Sequence, residues 1–144
     1  MNPSEKPEYL SRNELQEYAM TAIYDTFLYR KLGIPADVED IVSSLLETDY
    51  ADCDYFVKAA VILSLKHEEE IIAKYQEHMN HWLFSRRNRL EQAILMLSYV
   101  HYFYIDPNVD KAIVINIGVK LSKKYCSPND FKFVNAILDK VLNR

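Results

Sequence analysis

The stretch from residue 93 to residue 105 constrains the fold more than any other part of the chain. It is apolar at nearly every position, and only Ser98 and His101 interrupt it. A helix that is apolar on all sides must be surrounded by other elements, whereas a bilayer span needs about 20 such residues. The stretch therefore predicts a buried central helix, from about Asn88 to Tyr104, and no membrane span.

Apolar residues elsewhere also recur at helical spacing. A first helix is predicted after Ser11, which with Glu14 matches a capping box, and Gly33 is a natural stop for it. A short second helix follows, and then a long third one over about residues 52–80. Only two glycines occur among 144 residues, which disfavours a fold of strands and tight turns. The sequence predicts an all-α domain over residues 11–144 with six or seven helices, after a loose lead-in at residues 1–10.

Residues 110–143 predict two helices joined by a capped turn. Ser127 is a suitable N-cap, Pro128 fits the first helical position, and Asp130 places a carboxylate at the positive helix end. The β-branched run at residues 113–117 is typical of a strand. Its apolar spacing nevertheless continues to Tyr125, so a helix is predicted here too.

Charge is distributed unevenly along the chain. Residues 1–85 hold 7 Lys/Arg against 16 Asp/Glu, whereas residues 86–144 hold 10 against 5. A polyanion would therefore meet the C-terminal part more readily, although the overall net charge is −4. Tyr24 and Tyr125 are candidates for stacking on unpaired bases, with core packing as the alternative. Candidate phosphate contacts, with solvated helix faces as the alternative, are Arg86, Arg87, Arg89, Lys120, Lys123, Lys124 and Lys132.

Residue patterns typical of catalysis or metal binding are weak. His78 and His81 have the spacing of half a metal site, but no second ligand pair matches them. Lys123 and Lys124 precede Cys126, which would lower its pKa, although an inert buried thiol is the simpler interpretation. The sequence predicts no metal, no cofactor and no enzymatic activity. The start shows no secretory signal, and the two distant cysteines suit a reduced, cytoplasmic setting.

Two stretches of the chain resemble the NusB family of bacterial transcription antitermination factors. In residues 82–97, Trp82, Arg86 and Glu91 precede an Ala-Ile-Leu run. In residues 115–140, an Ile-Asn pair is followed by Lys-Phe-Val-Asn and Ile-Leu-Asp-Lys, with Ala136 where the family has Gly. The first helix resembles the family more weakly.

This resemblance implies a compact fold of two small helical subdomains and a set of partners. NusB proteins bind single-stranded boxA RNA together with the ribosomal protein NusE, and so act indirectly on the RNA polymerase elongation complex. The positions that match the RNA surface are Arg12, Tyr24, Tyr125, Lys132 and Phe133. Those assigned to the protein partner are Glu91 and Asn129. Those expected to be structural are Asn116, Asn135 and Asp139, the two amides as buried groups that bond backbone across helices.

The chain also departs from the family pattern. The arginine-rich run that opens the family's first helix is reduced to Arg12, and Glu14 and Glu17 intrude. A glutamate facing a phosphate is repulsive. Asn129 and Phe131 replace the usual Asp and Ser/His. One alternative is therefore a diverged protein-interaction module without RNA binding. Another is an accessory to an enzyme, since the same fold precedes the catalytic domain of some RNA methyltransferases, but no methyl-donor-binding domain is evident here.

Overall fold

Seven α-helices make up most of residues 10–144. The structure is a computed structural model that describes residues 10–144, and these contain no strand. The lead-in predicted for residues 1–10 lies outside the described residues, apart from Leu10. No helix among the described residues has the length and hydropathy that crossing a bilayer requires. The helices are α1 (Arg12–Lys31), α2 (Val38–Leu46), α3 (Tyr55–Lys66), α4 (Glu68–Gln76), α5 (Arg89–Val100), α6 (Lys111–Tyr125) and α7 (Asp130–Val141).

The predicted central helix is confirmed as α5. Every residue from Ala93 to Val100 is buried, because helices pack around α5 on all sides. α1 and α3 pack against α5, and α2 packs on α1 and α3. α4, α6 and α7 form a second group that also contacts α5. These two groups of helices, joined by α5, are the two small helical subdomains that the resemblance implied.

Side-chain caps begin most of the helices. The capping box of α1 is confirmed, since the Glu14 N–H donates to Ser11 Oγ and the Ser11 N–H donates to Glu14 Oε1, each at 3.2 Å. Asp37, Asp54 and Asp110 cap α2, α3 and α6 as single side-chain acceptors of backbone N–H groups in the first turn. These acceptors satisfy N–H groups that have no partner within the helix.

The long third helix predicted over residues 52–80 is wrong as a single element. The chain leaves helical geometry at His67, where φ is −108° and ψ is 18°, and it divides there into α3 and α4. The apolar stripe runs across this break, so the periodicity does not reveal it. Tertiary contacts hold the junction: the His67 ring stacks on Tyr104 with a centroid distance of 4.1 Å. Hydroxyl groups of Tyr99 and Tyr104 donate to the Glu70 carboxylate.

The far end of α5 also differs from the prediction. The α-helix ends at Val100, and residues His101–Ile105 form one π-helical turn before the chain reaches α6. This turn places Tyr104 against the junction of α3 and α4. Arg144 fastens the turn from the other side, because its guanidinium donates to the carbonyl oxygens of Tyr102 at 2.6 Å and Asp106 at 2.9 Å.

The last two helices form a closely packed antiparallel pair. The β-branched run is helical, as predicted, within α6. At Gly118, α6 approaches both α7 and α5 so closely that a Cβ atom would lie 2.9 Å from Leu138 Cδ1 on α7 and 3.3 Å from Ser98 Oγ on α5. Atoms at that separation overlap, so a residue without a side chain permits this packing.

The turn between α6 and α7 forms differently from the prediction. α7 begins at Asp130 and not at Pro128, and the Ser127 hydroxyl does not cap it. The contact is reversed: the Ser127 N–H donates to Asp130 Oδ2 at 3.1 Å, and the Asp130 N–H donates to the Ser127 carbonyl oxygen at 3.0 Å. Asn129 lies exposed just before the helix.

Candidate nucleic-acid interface

The N-terminal ends of α5 and α7 meet beside the C-terminal end of α6. Asn88 caps α5 through hydrogen bonds from the N–H groups of Leu90 at 2.8 Å and Glu91 at 3.4 Å. This places Glu91 in the first turn of α5, where the helix dipole favours a carboxylate. The three helix ends together carry most of the positive charge of the C-terminal part.

Arg87 connects α5 to α7. Its guanidinium donates to the Glu91 carboxylate through Nε at 2.5 Å and Nη2 at 2.8 Å. The guanidinium carbon also lies 4.0 Å from the centre of the Phe133 ring, and Nη2 lies 4.0 Å from Asp130 Oδ1. A planar cation is therefore fixed over an aromatic ring between two carboxylates.

The expectation that Glu91 faces a protein partner is wrong for this side chain. Its exposed fraction is 0%, because both carboxylate oxygens are turned inward and bonded to Arg87. A buried carboxylate needs such a partner. The sequence does contain the signal for this contact, an arginine four residues before the glutamate across a helix start.

The end of α6 adds two further pairs of a cation with a ring. Lys123 Nζ lies 4.6 Å from the centre of the Phe131 ring, and Lys124 Nζ lies 5.3 Å from that of Tyr125. Tyr125 is exposed, and so is Lys132 on the first turn of α7. Of the residues predicted to face RNA, the fold thus brings Tyr125, Lys132 and Phe133 to the meeting helix ends.

The other two residues predicted to face RNA lie on α1. Tyr24 is half-buried beside the N-terminal half of α5. Arg12 is exposed and lies toward the opposite end of α5, near His101. Burial lowers the pKa of His101, and the positive charge of Arg12 lowers it further. Arg12 is therefore apart from the cluster around Phe133.

An acidic side chain of α1 reaches the same surface. Glu17 Oε1 accepts a hydrogen bond from Lys124 Nζ at 2.5 Å. This hydrogen bond raises the pKa of Lys124 above its ordinary value. The sequence indicated that Glu17 intrudes into the first helix, and the fold shows which cation it neutralises.

The signature residues are placed differently from one another. The prediction that Asn116 and Asn135 are buried amides is wrong, since both are exposed on the outer faces of α6 and α7. The helices pack through apolar side chains and Gly118, which leaves no buried position for an amide. Asp139 has a contact of its own: its carboxylate lies 3.2 Å from Lys111 Nζ, which also donates to the Asp139 carbonyl oxygen at 2.7 Å.

An open groove lies on the far side of Arg87. It has a volume of about 510 Å³, and Trp82 and Leu83 at its edge are 68% and 51% exposed. Large apolar side chains at this exposure, next to charged ones, are typical of a protein-binding surface. The other lining residues are His81, Arg86, Arg87, Asn88, Glu91 and Asp130.

The two cysteine side chains form no disulfide. Cys53 and Cys126 are both free thiols. Burial raises the pKa of Cys126, and the nearby Glu91 charge raises it further, which is opposite to the activation considered for Lys123 and Lys124. Within residues 10–144, no group of three or more His, Cys, Asp or Glu side chains is placed to hold a metal ion.

Comparison with known families identifies the chain. The model of the NusB family matches residues 13–143. The chain belongs to the NusB family. A relative from Macrococcus caseolyticus, named transcription antitermination protein NusB, is 26% identical over 92% of this chain and 97% of its own length. The protein of the same name from Wolinella succinogenes is 38% identical over 53% of this chain and 55% of its own.

Solved structures share the NusB fold. NusB from T. maritima superposes with a TM-score of 0.77 at 18% sequence identity, covering 94% of this chain and 92% of that one. A chain in the crystal structure of a plectonemic RNA supercoil superposes with a TM-score of 0.72 at 20% identity, covering 90% and 92%. These likenesses confirm the predicted all-α NusB fold.

Proposed function

We propose that this NusB-family chain is a non-catalytic transcription antitermination factor. It binds single-stranded RNA of the boxA type together with the ribosomal protein NusE, and so acts indirectly on the RNA polymerase elongation complex. The observation that supports this most directly is the cluster of three cation and ring pairs where α5, α6 and α7 meet. Rings and guanidinium planes stack on unpaired bases, and cations bind phosphates.

Each RNA-facing residue has its own role in this proposal. Tyr125 offers a ring for stacking, and Lys132 offers an exposed ammonium to a phosphate. Phe133 is covered by Arg87, so a base there stacks on the guanidinium and Phe133 supports it from below. Tyr24 and Arg12 extend the RNA path along α1.

The groove beside Trp82 is assigned to NusE. Its exposed apolar edge, with Arg86 and Arg87 on its wall, suits a protein surface. Asn129 is exposed next to Asp130, which lines the groove, and is part of the same contact. Glu91 acts from beneath, because it fixes the orientation of Arg87.

The RNA half of the proposal is tested by titrating boxA-type RNA, with and without NusE, at two salt concentrations. We expect stronger binding than to a scrambled RNA. Lys132→Ala should weaken binding about fivefold and reduce the slope of log K against log salt by about 0.7, the share of one phosphate contact on a single strand. Lys140→Ala, on the same helix but at its other end, is the matched control. Equal binding of boxA-type and scrambled RNA in all conditions would contradict the RNA assignment.

The partner half is tested by NusE association. Trp82→Ala should weaken association at least about tenfold, because an exposed tryptophan commonly carries much of the binding energy of an interface, while the helical content stays unchanged. Tyr55→Ala removes a comparably exposed ring, 72% exposed on α3, and should have no effect. If both variants bind NusE as the unaltered chain does, the groove is not the contact.

A second candidate function follows from the Glu17 contact. Glu17 neutralises Lys124 on the surface that RNA would use, and only Arg12 remains of the arginine-rich opening. A diverged protein-interaction module would show this pattern. It would bind NusE and show no preference for boxA-type RNA at either salt concentration.

A further inference from the structure

A separate cavity lies between the C-terminal half of α1 and the N-terminal half of α5. Its volume is about 320 Å³, which is within the range of small-molecule sites. Its inner wall is apolar, and Phe84, Ala93 and Met96 on it are buried. None of the residues that line the cavity belongs to the cluster around Phe133.

The mouth of this cavity is basic. Arg30, Lys31 and Arg89 line it, against the single carboxylate of Glu68. Arg30 is already engaged, since it pairs with Glu68 and lies 4.7 Å from the centre of the Phe27 ring. Lys31 and Arg89 have no acidic partner within 4.0 Å among residues 10–144. Two uncompensated positive charges therefore remain for an anion.

Two further lining groups suit a nucleobase. Gln92 is fixed, because its Nε2 donates to the carbonyl oxygens of Arg87 at 2.7 Å and Ser85 at 3.3 Å. Its Oε1 accepts no hydrogen bond from the described residues. The Tyr24 ring likewise contacts no ring or cation among them. A half-buried aromatic ring and an oriented amide that line the same cavity are the groups that recognise a base.

We propose that this cavity binds one nucleotide. Its base lies against Tyr24 and the apolar wall within reach of Gln92, and its phosphate lies between Lys31 and Arg89. The nucleotide is either a free 5′-mononucleotide or one nucleotide of a bound RNA strand. The second case rests on the proposed function, since Tyr24 borders both the cavity and the proposed RNA path.

The test uses the methyl group of Met96 as a probe inside the cavity. The full chain, labelled on its methionine methyl groups, is titrated with AMP and with UMP and followed by NMR. We expect a saturable shift of the Met96 signal, while Met20 and Met79, buried outside the cavity lining, serve as internal references. Arg89→Glu should weaken binding about tenfold, because it replaces a phosphate contact by repulsion. Lys31→Glu, at an exposed position, should have the same effect for the same reason. Lys140→Glu makes the same change of charge at a distance and should bind as the unaltered chain does.

A second titration with boxA-type RNA distinguishes the two sources of the nucleotide. If RNA shifts the Met96 signal, and Arg89→Glu reduces this shift whereas Lys140→Glu leaves it unchanged, the bound group is a nucleotide of the RNA strand. A shift with mononucleotide alone supports a free ligand, even if RNA does not bind at all. If RNA binds and Met96 responds to neither ligand, the cavity proposal is overturned and the RNA proposal stands. If neither ligand binds, or Lys140→Glu weakens binding as much as Arg89→Glu does, the cavity proposal is also overturned.

Discussion

Two cations of the proposed interface, Arg87 and Lys124, are held by different kinds of contact. Arg87 has a buried carboxylate on one side, an aromatic ring on another and Asp130 at the margin. Its position is therefore determined from both α5 and α7. Lys124, in contrast, is held by one exposed carboxylate, an arrangement that contributes little to stability. The contacts of Arg87 therefore fix the geometry of the proposed interface, whereas the contact of Lys124 with Glu17 changes its charge.

Removal of Glu91 tests the first of these contacts. Glu91→Ala should lower the free energy of unfolding by about 2 to 4 kcal/mol, because it leaves a cavity and deprives Arg87 of its buried partner. Glu91→Gln, which keeps the shape, should lower it less. Urea denaturation measures both. Glu69→Ala, on the exposed side of α4, is the control, and a loss no larger than the control's would mean that the pair does not stabilise the fold.

Removal of the Glu17 charge tests the second contact. Glu17→Gln should raise the affinity for boxA-type RNA about threefold at low salt, because it frees Lys124 and removes a repulsive charge. The gain should shrink as salt rises. Glu69→Gln makes the same change on another helix and should leave RNA affinity unaltered. An unchanged or reduced affinity for Glu17→Gln would exclude a masking role.

At the scale of elements, the junction of α3 and α4 depends on a polar contact with the π-helical turn. Glu70 accepts hydrogen bonds from Tyr99 at 2.9 Å and Tyr104 at 2.6 Å. The bond from Tyr104 is the main reason that the pKa of Glu70 is lower than its ordinary 4.5, and it raises the pKa of Tyr104 to about 12. The ionised carboxylate is thus the form that stabilises the junction.

The stabilisation that the Tyr104–Glu70 hydrogen bond provides should decrease as pH falls. A carboxylate whose pKa is lower in the folded state stabilises fully above its unfolded value and loses the effect as pH falls through its folded value. Tyr104→Phe should therefore unfold at lower urea than the unaltered chain at pH 7, and the gap should narrow below about pH 4.5. Tyr55→Phe is the control, since Tyr55 is 72% exposed. A gap that is constant across pH would mean that Tyr104 acts by packing alone.

Some features of these helices can be predicted from the sequence, and others cannot. The capping box of Ser11, the stop at Gly33 and the apolar α5 depend on nearby residues or on hydrophobicity, and these predictions are confirmed. The sequence does not reveal the break at His67, because the apolar stripe continues across it. The hydroxyl groups that bond to the junction, those of Tyr99 and Tyr104, lie about 30 positions further along the chain. To predict that Glu91 is buried, one would have to know that the Arg87 side chain folds back over it. The family resemblance identifies Asn116 and Asn135 as signature positions, but it does not predict that their side chains are exposed.

At the scale of the whole molecule, the proposed interface is assembled from the ends of helices. α5, α6 and α7 each contribute one end, and α1 contributes Glu17 across 107 positions of sequence. No continuous segment of the chain carries all of these groups. An isolated α6–α7 segment would lack both Arg87 and Glu17, although it contains Tyr125, Lys132 and Phe133.

Binding at this interface and folding of the chain are therefore thermodynamically linked. A ligand that binds only the folded state raises the free energy of unfolding by about 2.7 kcal/mol at a free concentration 100 times its Kd. BoxA-type RNA should accordingly raise the melting temperature in proportion to the logarithm of its concentration, and scrambled RNA should raise it less. Because the helix ends separate as soon as the bundle opens, partial unfolding of α1 or α7 should release RNA before the central helix is exposed. Bound RNA would then slow the exchange of the amide hydrogens of α1 and α7 with solvent.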